Sequence, residues 1–210
     1  MTKQNAASGR FFLLDRLLRS SERFSLWAVW VSGFITLSSV LLISFEVVAR
    51  KFFGFTTGGA DELSSYAFAI STAWSLAFAV LQRANVRVDA LYGKFPIRVC
   101  AFLDWLSLIA MGIFMVYMTR YAFDVVGTSW ENQSTATTPL ATPLWIPQGL
   151  WFMGLIWMCL VLAIMMARAS IALITGDLQT VRTLCGVRSI QEEADEEAAN
   201  SKRLVKEAAL

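Results

Sequence analysis

Acidic and basic residues that could act together in this chain fall at a few fixed spacings, and the spacings point to pairing and docking, with little to support catalysis. Glu46 and Arg50 are four apart, which sets them on one helical face in the favourable acid-before-base order. Asp61 and Glu62 are adjacent after a Gly-rich turn, where carboxylates cap free backbone N–H groups and meet the positive end of a helix dipole. Together with Arg50 they could also form a cluster that docks a partner. In NVRVDAL, Arg87 and Asp89 stand two apart and can tie a connection to neighbouring backbone. Asp104, beside Trp105 near a span end, can reach the same layer and face water or a basic neighbour, with the solvated carboxylate the preferred reading. Arg120 and Asp124 are four apart in the weaker order.

The chemistry of cofactors has little to stand on. Histidine is absent, which removes the usual haem ligand and the commonest zinc or copper ligand. Cys100, Cys159 and Cys185 form no C-x-x-C and no close pair, so they read as apolar filler. No phosphate-binding loop, nucleophile elbow or metal-ligand cluster is found. No cofactor or metal is expected, and the chain does not read as an enzyme.

The elements that must hold these residues are long and apolar. Hydrophobic residues make up 56% of the chain and the mean hydropathy is +0.55. Four stretches, about 24–48, 62–82, 99–120 and 144–168, match the roughly 20 residues needed to cross a hydrocarbon core about 30 Å thick. The expected fold is an all-α integral membrane protein with four transmembrane helices. A net charge of +2 gives no reason to expect nucleic acid as a partner.

Lys and Arg set the expected orientation. Lys3, Arg10, Arg16, Arg19 and Arg23 precede the first span; Arg83, Arg87, Lys94 and Arg98 fall in the second connection. Arg168, Arg182, Arg188, Lys202, Arg203 and Lys206 follow the last, against only Arg50, Lys51 and Arg120 on the other side. The positive-inside tendency then predicts that both termini are cytoplasmic. The expected division is a cytoplasmic N-terminal tail at 1–23, a transmembrane domain at 24–173 and a cytoplasmic C-terminal tail at 174–210. In the N-terminal tail, Phe11, Leu14, Leu17 and Leu18 share one side of a helix, the pattern of a short amphipathic helix in the interface; a plain extension of the first span is the alternative.

The second span carries a packing signal. Ser65, Ala69, Ala73 and Ala77 form one small row and Ala67, Ser71, Ser75 and Ala79 another, on either side of Tyr66, Ile70, Trp74 and Phe78. Two helices could approach closely, which predicts a central place for this one. Between the third and fourth spans the segment from Arg120 to about Leu144 reads as the longest external one, with Pro139, Pro143 and Pro147 stiffening its return to the membrane. The central thirds of the spans hold no charge and no internal repeat, unlike a self-sufficient transporter.

The succession EVVARKFFGF (46 to 55), DELSSYAFAISTAW (61 to 74), NVRVDALYGKFP (85 to 96) and PLATPLWIP (139 to 147) resembles the small membrane subunit, DctQ type, of tripartite ATP-independent periplasmic (TRAP) transporters. It departs from that family at Asn85, where His is common, and in the turn TTGGA at 56 to 60. The resemblance implies a bacterial inner-membrane protein that braces a large permease subunit and helps a periplasmic substrate-binding protein dock during sodium-coupled uptake of an organic acid. Membrane lipids would surround it. Glu46, Arg50, Glu62, Arg87 and Asp89 fall at the family's acidic and basic positions. The alternatives are a tetraspan assembly or regulatory subunit of another complex and a small membrane enzyme.

Overall fold

The computed structural model describes residues 2–56, 58–83 and 96–177, together with 180, 181, 184, 198 and 201. Within them the chain forms α1 (Thr2–Phe53), α2 (Ala60–Leu81), α3 (Ile97–Glu131) and α4 (Trp145–Thr175). All four are long and apolar enough to cross a membrane, over Leu13–Phe53, Ala60–Leu81, Arg98–Glu131 and Trp145–Thr175. Helices satisfy every interior backbone group internally, which is what lets such segments lie in lipid. Among the described residues the one departure from helix and loop is an isolated bridge between Thr135 and Pro143.

Two helices run further than the hydropathy suggests. With 52 residues α1 extends for roughly 78 Å, well over twice the hydrocarbon thickness, so much of it must lie outside the bilayer core. The segment expected as a separate interfacial helix is continuous with the first span: residues 11–26 contain no Pro or Gly, and nothing interrupts the i→i−4 ladder. Likewise α3 continues past Arg120 to Glu131, which shortens the connection to α4 to residues 132–144.

The small rows of α2 meet two different helices. Ala73 and Ala77 are buried against α4, while Ser71 is buried against α1 and its hydroxyl donates to the Ser32 carbonyl at 3.1 Å. Ser65 and Ala69, nearer the start of the helix, stay exposed. At the α2–α4 crossing a Cβ on Gly154 would lie 2.9 Å from the Ala73 Cβ and 3.1 Å from the Ala73 backbone carbon, so the two backbones come as close as side chains permit. The Trp74 indole N–H then reaches the Leu150 carbonyl at 3.0 Å.

Centrality belongs to α4, however. It packs on α1, α2 and α3, whereas α2 has its main contacts with α1 and α4. Leu155, Met158, Val161, Leu162, Met165 and Ala169 line its inward side and meet Leu108 and Met115 of α3. Lipid is as apolar as this core, so the packing rests on close contact and on hydrogen bonds between helices. Side-chain hydroxyls inside the spans are satisfied locally: Thr36, Ser44, Thr72, Ser75 and Thr119 each donate to the carbonyl four residues earlier.

Candidate functional site

Polar side chains concentrate at the two ends of the bundle. One end carries the α1–α2 and α3–α4 loops; the other carries the start of α1 and the end of α4.

At the loop end, two buried carboxylates hold the two loops. Glu46, 7% exposed on α1, accepts the Thr56 hydroxyl at 2.5 Å, and the Thr56 oxygen in turn accepts the Gly58 N–H at 3.2 Å. Glu62, also 7% exposed, sits in the first turn of α2; its Oε1 accepts the Tyr66 hydroxyl at 2.9 Å and its Oε2 accepts the Thr138 hydroxyl from the α3–α4 loop. Each loop is therefore fastened to a helix by a charge-assisted hydrogen bond, a class roughly twice as strong as its neutral counterpart.

The loops also touch one another. Leu140 lies over Gly59 so closely that any Cβ there would overlap its side chain, and Pro139 lies 3.3 Å from where a Gly58 Cβ would stand. Within 132–144 the backbone closes on itself through Ala136 N–H to the Thr142 carbonyl, Ala141 N–H to the Thr138 carbonyl and Leu144 N–H to the Ser134 carbonyl, each 3.0 Å. Trp130 and Trp145 close the base edge-to-face at 4.8 Å between ring centroids. Pro147 is buried in the first turn of α4, as the spacing of the prolines suggests.

Four of the six candidate residues, Glu46, Arg50, Asp61 and Glu62, lie among the described residues. Glu46 turns to Thr56, and the expected pair with Arg50 is not among the ion pairs of the described residues; Arg50 is exposed. Helix α2 is capped by Gly59 with no side-chain hydrogen bond, so Asp61 and Glu62 do not cap it but lie inside its first turn, where the helix dipole favours negative charge. Asp61 is exposed, and its carbonyl accepts the hydroxyls of Ser64 at 2.9 Å and Ser65 at 2.8 Å. Arg87 and Asp89 lie outside the described residues, as does Cys185.

At the opposite end, Arg168 of α4 donates from Nε to the Asp15 carboxylate of α1 at 2.8 Å, with the arginine side chain 11% exposed. Asp104 is 1% exposed, which corrects its reading as a solvated carboxylate. It stands one turn from Ala101 and Leu108, both buried, and so shares the inward face of α3. The neighbouring Trp105 indole N–H donates to the Ser170 hydroxyl at 2.9 Å. Just past α4, Asp177 accepts the Thr180 hydroxyl at 2.5 Å and its backbone N–H at 3.1 Å. Those two bonds, and more weakly the Arg168 charge, hold the Asp177 carboxyl below the usual range.

The sequence reading missed Thr56, Thr138, and the partnership of Asp15 with Arg168. Threonine is too common to signal a buried acceptor, and nothing local links residues 153 apart. Among the described residues no group of three His, Cys, Asp or Glu side chains could hold a metal ion. Among the described residues, grooves open between helices. One of about 410 Å³ between α3 and α4 is lined by Gly112, Val116, Cys159, Leu162 and Met166; one of about 630 Å³ between α1 and α2 is lined by Ser32, Gly33, Thr36, Ser71 and Ser75. In the second, the Thr36, Ser71 and Ser75 hydroxyls already donate to backbone carbonyls.

Residues 39–171, which include part or all of every one of the four helices, match the family model of the tripartite ATP-independent periplasmic transporters, DctQ component. No curated protein and no solved structure gives a match.

Proposed function

The chain is a member of the DctQ family, the small membrane component of tripartite ATP-independent periplasmic transporters, and from that premise we propose that it braces a large permease subunit in the bacterial inner membrane and helps a periplasmic binding protein dock. The family match over 39–171 carries this reading. In it the loop end faces the periplasm and both termini face the cytoplasm, in keeping with the distribution of Lys and Arg. The transmembrane domain spans 24–173 between cytoplasmic tails at 1–23 and 174–210, and the transported species is an organic acid coupled to sodium.

The geometry supports a receiving surface at the loop end. Phe53 is 81% exposed there, Phe55, Trp130 and Leu140 are also exposed, and the loops bearing them are fastened by Glu46 and Glu62. A fixed apolar patch costs little conformational entropy when a partner covers it. Arg50, exposed at the end of α1, is placed to steer an acidic patch on the incoming protein.

Uptake by vesicles containing the large subunit, with the binding protein supplied outside, tests the proposal. Addition of this chain is expected to restore uptake, and Arg50→Glu to slow it at low salt but not at high salt, because exposed charges are screened. Full uptake without the chain would reject the bracing role, and an unchanged rate with Arg50→Glu would reject the steering role.

A further inference from the structure

Near the start of α1 the charged side chains are sorted by sign. Asp15 and Glu22, seven apart and hence on one face, both reach neighbouring segments while staying open to solvent: Asp15 meets Arg168 of α4, and the exposed Glu22 accepts the Gln82 side-chain N–H at 3.4 Å. Arg16, Arg19 and Arg23 all stay exposed, and among the described residues none of them pairs with a carboxylate. At 100° per residue the three lie within an arc of roughly 60°, and Trp27 and Trp30 continue the same stripe. Trp27 is 61% exposed and Trp30 75%. Leu13, Leu17 and Phe24 flank the stripe and are exposed too.

We infer that this stripe is a seat for anionic phospholipid headgroups of the leaflet where α1 enters the membrane. The order of side chains along the helix fits a lipid better than a protein surface. Large indoles come first, at the level where aromatic rings favour the headgroup boundary. One turn further out the guanidiniums begin, each able to grip phosphate oxygens in a bidentate manner. The arginine stems can lie along apolar surface with their heads in the phosphate layer. The uncharged stretch starting at Phe24 places the hydrocarbon edge at this level on α1. With Asp15 and Glu22 set to one side of the stripe and engaged by Arg168 and Gln82, the outward face presents positive charge to a negative surface.

The inference rests on the chain's spanning a membrane but not on its partner, so it is tested on the full chain by itself. Purified protein is placed in nanodiscs of phosphatidylcholine with one part in five phosphatidylglycerol, and the lipids retained after mild detergent extraction are counted by native mass spectrometry. The wild-type chain is expected to retain phosphatidylglycerol in excess of its share. The triple variant Arg16→Gln, Arg19→Gln, Arg23→Gln should lose that excess by about fivefold or more, as three surface-facing charges are removed. The Lys triple variant should keep most of it, whereas Arg120→Gln, which removes an exposed arginine elsewhere, should leave it unchanged. Equal enrichment in the Gln triple variant would overturn the inference, as would an equal loss in Arg120→Gln. Failure of the Gln triple variant to co-purify with the large subunit, with lipid retention intact, would overturn it by making the stripe a protein contact.

Discussion

The Glu62 carboxylate, in the first turn of α2, accepts the hydroxyl of Thr138, 76 residues along the chain in the loop before α4. Glu62 is 7% exposed, so the bond is sheltered from water and its loss leaves a buried acceptor short of a donor. Replacing Glu62 with Ala or Thr138 with Val should each cost about 1–3 kcal/mol. The double variant should cost clearly less than the sum, since both remove the same bond. Thermal unfolding in detergent reads the energies, and faster amide exchange over 132–144 should accompany them. Additive costs would show that the two residues act separately.

The α2–α4 crossing predicts opposite outcomes for two glycines on one helix. A Cβ at Gly154 meets the Ala73 Cβ and backbone within about 3 Å, and backbone cannot swing aside. Gly154→Ala should therefore destabilise the bundle by about 1–3 kcal/mol. No heavy atom lies within 4 Å of where a Cβ on Gly149 would stand. Gly149→Ala should be neutral or stabilising by up to about 1 kcal/mol. Melting temperatures of the two variants, measured side by side in one detergent, provide the check.

The Asp15–Arg168 pair is asymmetric in burial, with side chains 44% and 11% exposed. Removing Asp15 takes a partner from the buried cation, whereas removing Arg168 leaves a carboxylate that water can reach. Asp15→Ala should cost more than Arg168→Met, which keeps the apolar stem; the difference should be about 1–2 kcal/mol. Equal costs, or the reverse order, in chemical unfolding would refute the asymmetry.

Asp177 supplies a pH dependence. Its folded carboxyl ionises below the ordinary value, so its bonds to Thr180 add stability that is fully present above about pH 4. That contribution fades as pH falls through the lower folded value. The side chain is exposed, so the amplitude is modest. Amide exchange at Thr180 and Val181, corrected for its intrinsic pH rate, should accelerate as the pH falls below 4. Asp177→Asn keeps a capping oxygen but no charge, and should remove the pH dependence while leaving most protection at neutral pH.

Much of this architecture could be read from the chain because lipid imposes a simple rule of length and apolarity, which the four stretches obey. Helix ends were less legible: hydropathy marks where the bilayer stops, whereas α1 and α3 stop only where Gly54 or the turn after Glu131 breaks the ladder. The small residues of α2 announced two close neighbours, yet the hub is α4, whose bulky Met and Leu side chains resemble those of any lipid-facing helix. Spacing placed Glu46 with Arg50 because local rules see only i and i+4; the acceptance of a hydroxyl ten residues away depends on how the chain turns at Gly54. Thr138 and Arg168 find their partners through tertiary packing, which no local pattern encodes.

The central claim is that this chain works as the small component of a larger permease. Gentle purification of the tagged chain from its native membrane, with mass spectrometry of what accompanies it, tests this most directly. A multispan permease recovered in roughly equal amount is the predicted result; recovery of the chain alone, stable and monodisperse, would contradict the account.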